Sequence, residues 1–79
     1  MPRVVVDVTL KPEILDPQGQ AIVGALSTLQ ISGVRAVRQG KHFELDVDGD
    51  DAAALQIAED LAGRLLANPV IEDYQVRLA

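Results

Sequence analysis

Cysteine is absent from the 79 residues of this chain. Disulfides and Cys-ligated metal sites are therefore excluded. A chain this short reads as one domain, residues 1–79, and buries only roughly 60% of the surface its unfolded form exposes. Small cysteine-free domains often gain stability by association. A homo-oligomer, dimer or larger, or a subunit of something bigger is the expectation. Aromatic side chains are almost absent too, with one Phe (Phe43) and one Tyr (Tyr74). Basic residues are in the minority, 7 against 12 acids, for a formal charge of -5. Nucleic-acid binders usually carry a basic stripe, so nucleic acid is not an expected partner. No run approaches the roughly 20 apolar residues of a membrane span. Met1-Pro2-Arg3 leads straight into VVVDVTL, without the apolar core and cleavage site of a signal peptide. The expectation is a cytoplasmic protein with no membrane partner.

What is present is a clear alternation of patterns. From Arg3 to Lys11, Val4, Val6, Val8 and Leu10 alternate with Arg3, Val5, Asp7, Thr9 and Lys11. Period two predicts a strand with one buried face. PEILDP forms a loop. Asp16 is a good helix N-cap, and Pro17 suits the first helical position. Ile22, Ala25, Leu26 and Leu29 then make an apolar stripe for packing on a sheet. Gly33 fits the helix exit. Residues 34–48 read as extended, either as a hairpin turning at Gly40 or as one long strand bulged there. A second helix begins at Asp50 or Asp51, with Leu55, Ala58, Leu61, Ala62 and Leu65 on its buried stripe and Ile57 at the edge. Asn68 and Pro69 stop it, and a last strand runs from Val70 to Leu78.

The order β-α-β(β)-α-β predicts an α+β two-layer sandwich, ferredoxin-like or related. An antiparallel sheet carries both helices on one face. The open face would hold Arg3, Asp7, Thr9, Lys11, His42, Glu44 and Asp46.

Catalytic patterns fail one by one. A phosphate loop needs GxxxxGK[ST], but Arg35 stands at the first Gly and His42 follows Gly40-Lys41. Asp46, Asp48 and Asp50 hint at a calcium loop, yet Asp51 and Ile57 occupy the positions of its Gly and Glu. His42 is the one histidine, and no nucleophile is arranged around it. A metal there would need carboxylates such as Glu44. RNA-binding modules of this plan stack bases on sheet aromatics, and two rings directed at a core or an interface are too few. An amino-acid-sensing domain, with its ligand at a dimer interface, is the stronger alternative.

Three stretches are more specific than a generic sandwich requires: LKPEILDPQGQAI, VRQGKHFEL and LLANPVIEDYQV. Together they resemble the small PurS-type subunit of bacterial phosphoribosylformylglycinamidine synthase over nearly the whole chain. The resemblance implies a role in purine biosynthesis, in a complex that converts formylglycinamide ribonucleotide, glutamine and ATP to formylglycinamidine ribonucleotide. A glutaminase subunit and a large synthetase subunit would be the partners. The small subunit would be a non-catalytic dimer that bridges them and shapes ammonia transfer. It would bind no cofactor itself, while the complex uses ATP and Mg.

The expected partner interface is Gln18, Gly19, Gly40, Lys41, Glu72, Asp73 and Tyr74. Two acids beside an aromatic on a terminal strand suit a sheet edge that a partner can join. The plainer alternative is that Tyr74 fills the core and the acids keep the strand soluble.

Overall fold

The computed structural model describes residues 2–79. Alternation in the first segment becomes β1, Arg3–Leu10, the central strand of a three-stranded sheet. Antiparallel neighbours flank it, β2 (Gly40–Asp46) on one side and β3 (Glu72–Leu78) on the other. The helices are α1, Pro17–Leu26, and α2, Asp51–Leu61. The plan is α+β and ferredoxin-like, with the order β-α-β-α-β.

Register fixes the two faces of the sheet. Val4, Val6 and Val8 are fully buried, and they lie opposite Leu45, Phe43 and Lys41 of β2. Their partners on β3 are Leu78, Val76 and Tyr74. This face receives α2 through Ala54, Ala58 and Ala62. Small side chains let the helix approach the valines closely, and they also keep the core small.

Several details differ from the sequence reading. First, no strand forms over residues 34–39, so residues 34–48 make neither a hairpin nor one bulged strand. Side-chain bonds hold the segment instead. Arg38 donates to the carbonyls of Leu10 and Lys11, and the Gln39 N–H donates to Asp16. Gly40 is required by a close approach, because a Cβ there would meet the Val8 carbonyl oxygen at 2.3 Å.

Second, α2 alone covers the sheet; α1 does not lie on it. Ile22, Ala25 and Leu29 of the expected stripe are exposed. The radius of gyration is 15.9 Å, against about 12 Å for a compact domain of this length. With extents of 49 × 25 × 15 Å, the molecule is a compact body with a projecting arm.

Third, α1 ends before Leu29, at Leu26, and the left-handed residue behind it is Gln30 (φ 57°). Gly33, also at positive φ, lies farther along the loop. Fourth, the second helix closes in a π turn over Ala62–Leu66, where the Ala67 N–H reaches back to the Ala62 carbonyl at 2.9 Å. The extra residue rotates Leu66 inward and Leu65 outward, to 75% exposure. That corrects the place given to Leu65 on the buried stripe. The last strand likewise starts at Glu72, because Asn68 first makes a turn. Its carbonyl accepts from Ile71 and Glu72, and its side chain accepts from Val70.

Candidate partner interface

Asp16 sits at the junction of body and arm, and it is buried. One carboxylate oxygen accepts from the Gly19 N–H at 2.9 Å and caps α1. The other accepts from the Gln39 N–H at 2.7 Å, 23 residues away. These two N–H groups, Gln39 first, hold its carboxyl below the usual carboxylate range. Gly19 lies inside this joint. A Cβ there would come within 2.0 Å of the Val37 carbonyl oxygen.

Beside Asp16 lies a cleft of about 260 Å³. It gathers four of the seven expected interface residues: Gln18, Gly40, Lys41 and Glu72. The Lys41 ammonium stands 3.5 Å from the Glu72 carboxylate and donates to the Leu66 carbonyl at 3.3 Å. Glu72 also accepts from the Asn68 N–H at 2.6 Å. Gly19 is adjacent but buried. Asp73 and Tyr74 point to opposite faces. Asp73 is exposed on the open face, opposite Thr9 in register. Tyr74 lies against the core, and its hydroxyl donates to Glu59 at 2.9 Å. That bond and then burial raise its phenol above the ordinary value.

The open face carries a cluster that the sequence reading did not assemble. Asp7 accepts from Arg77 and stands 2.7 Å from the His42 ring nitrogen Nδ1. Arg77, then His42, hold the Asp7 carboxyl below the usual range. Seventy positions separate Asp7 from Arg77, so only strand register could have revealed the pair.

Other candidates resolve into structural roles. Asp46 pairs with Arg3 at 3.2 Å, while Asp50 caps α2 through the Ala53 N–H at 2.8 Å. Phe43 is turned to the core face, with Tyr74, and neither ring stands on the open face for base stacking. Both helix N-termini are occupied by carboxylates, and Lys41 already faces Glu72. That donor set repels phosphate rather than cradling it.

Comparison with known proteins decides the family. The family model for PurS, phosphoribosylformylglycinamidine (FGAM) synthase, matches residues 3–79. The chain belongs to the PurS family. It is 55% identical over 78 residues to the PurS subunit of phosphoribosylformylglycinamidine synthase from Mycobacterium leprae, covering 96% of this chain and 94% of that one. Among solved structures, PurS of Methanocaldococcus jannaschii superposes with a TM-score of 0.91 at 30% identity, covering 100% of this chain and 96% of the other. The PurS fold of the PurLQS structure from Thermotoga maritima gives a TM-score of 0.90 at 32% identity, with both chains fully covered. A PurS chain is thus a subunit of an FGAM synthase, which does not favour a free-standing amino-acid sensor.

Proposed function

We propose that this PurS chain is a non-catalytic assembly subunit of a cytoplasmic FGAM synthase. It bridges the glutaminase and the large synthetase and helps shape the ammonia route between them. ATP and Mg act on the large subunit, and none of the residues here takes a chemical step. The observation that carries this reading is the division of the chain's surface. Many of its ionisable groups are engaged in pairs and caps, among them Asp7, Asp16, Lys41, Asp50 and Glu72, whereas its apolar side chains on the arm are left uncovered. Ile22, Leu29, Ile31 and Val34 are all exposed.

A second copy of the chain covers part of that arm. The extended segment 34–39 has no strand partner among the described residues, and β2 is an edge strand. Such edges and unpaired backbone groups favour strand addition. Dimerisation also supplies the apolar burial that a core of valines and alanines leaves short.

The test is reconstitution with the glutaminase and synthetase of the same organism. Formation of formylglycinamidine ribonucleotide from glutamine should require all three chains, and the isolated chain should show no turnover. Sedimentation at micromolar concentration should report a dimer. Full glutamine-dependent synthesis without this chain would refute the assembly role.

A further inference from the structure

The arm, residues 17–37, leaves the body by two legs. One follows Asp16 into α1, and the other returns through Val37, Arg38 and Gln39 to β2. Beyond the legs, α1 makes no extended contact with the sheet or with α2. The direction of the arm is therefore set at its base.

The legs are tied to each other there. The Asp16 carboxylate joins them, accepting from the Gly19 N–H at 2.9 Å on one and from the Gln39 N–H at 2.7 Å on the other. Their backbones also touch, since a Cβ on Gly19 would stand 2.0 Å from the Val37 carbonyl oxygen. Arg38 then ties the joined legs to the sheet. Its guanidinium donates to the carbonyls of Leu10 and, at 3.0 Å, Lys11, where the central strand ends. That end is itself fixed. The Lys11 N–H donates to the Ile71 carbonyl at 2.9 Å, and the Lys11 carbonyl also accepts from the Ile14 N–H at 2.9 Å.

We infer that Arg38 and Asp16 form a latch that sets the direction of the arm before a second copy binds, so that self-association starts from a preorganised arm. The inference rests on the self-association reading of the arm given above. A free arm carrying Ile22, Leu29, Ile31 and Val34 would gain by folding back onto its own body. The latch holds these side chains outward, where a second copy can cover them. Binding that must first order a mobile segment loses affinity, in proportion to the fraction of time the segment is competent. Arginine suits the role, because its donors sit in a rigid planar fork and it is always charged.

The chain has no cysteine, so Ser27→Cys/Gln56→Cys places one label on the arm and one on α2, both at exposed positions. Single-molecule energy transfer at picomolar concentration, on monomeric chains, reads the direction of the arm. Sedimentation of unlabelled chains reads the dimer Kd. The wild type should give one narrow distance distribution. Arg38→Ala should broaden it and raise the dimer Kd by about tenfold or more, with the chain still folded. Asp16→Asn, left with one acceptor oxygen for two N–H groups, should act in the same direction if Arg38→Ala fails to fold. A broad distribution in the wild type overturns the inference. So does a folded variant that broadens yet dimerises unchanged. Loss of the dimer with the arm still fixed overturns it too, because Arg38 would then be a contact and not a latch. A wild-type chain that stays monomeric at micromolar concentration refutes self-association itself, and the latch falls with it whatever the direction of the arm.

Discussion

Lys41 and Glu72 meet across a strand that belongs to neither of them. They lie on β2 and β3, the two edges of the sheet, and their charged atoms come within 3.5 Å over the end of β1. The Lys41 side chain is half-exposed, so the pair contributes little by itself. Glu72→Gln keeps an acceptor for the Asn68 N–H and removes only the charge. A loss below about 1 kcal/mol is expected, read as a small shift of the thermal midpoint. A large loss would mean the charge pair, rather than the turn, holds β3 in place.

The glycines divide sharply. Gly19→Ala and Gly40→Ala each drive a Cβ into a backbone carbonyl oxygen, of Val37 and Val8 respectively. Backbone cannot yield as a flexible side chain does, so both variants should be severely destabilised. At Gly24, inside α1, an added Cβ meets nothing within 4 Å. Gly24→Ala should stabilise by up to about 1 kcal/mol. Urea titration of the three variants checks the contrast.

Asp16→Ala removes an acceptor from two backbone N–H groups at once, one of them 23 residues away. The midpoint should fall by roughly 5–10 °C. Hydrogen exchange at Gly19 and Gln39 should quicken together, because one carboxylate serves both.

Acid should act through the same carboxylate and through Asp7. Both have folded-state pKa values below their ordinary value of 3.8. A depressed folded value means the stabilisation is fully present above about 3.8 and is lost as pH falls through the folded values. Thermal midpoints measured from pH 6 to pH 2 should therefore decline mainly below pH 4. Asp7→Asn should remove part of that decline, and an unchanged acid limb would contradict the role of Arg77 and His42.

Asp73 and Tyr74 call for opposite outcomes. Tyr74→Ala removes a ring packed on the core and the bond to Glu59, so it should lower the melting midpoint well before any effect on assembly is read. Asp73→Lys alters an exposed side chain on the other face. It should fold normally and weaken association with the larger subunits. If it folds, dimerises and supports full synthase activity, Asp73 lies outside the interface.

Local chemistry made much of this molecule legible from the chain alone. The alternation from Val4 to Leu10 marked one face for the core, so β1 was readable, although Val5 on the other face is buried as well. Asp16-Pro17 and Asp50 marked both helix starts, because a carboxylate cap and a ring without an N–H suit those positions and few others. LDPQG and LANPVIEDY carried the family. Other features depend on distance in sequence collapsing to contact in space. The apolar side of α1 has the period of a core helix, yet the Asp16 joint and Arg38 hold it out on an arm. Periodicity says that a face will be covered, not by which chain. Leu65 was misplaced because a π turn leaves the composition of a helix unchanged while rotating everything after it. The Asp7–Arg77 pair arises only when β1 and β3 settle in register, which sets Arg77 opposite Val5 and so diagonal to Asp7 on the same face.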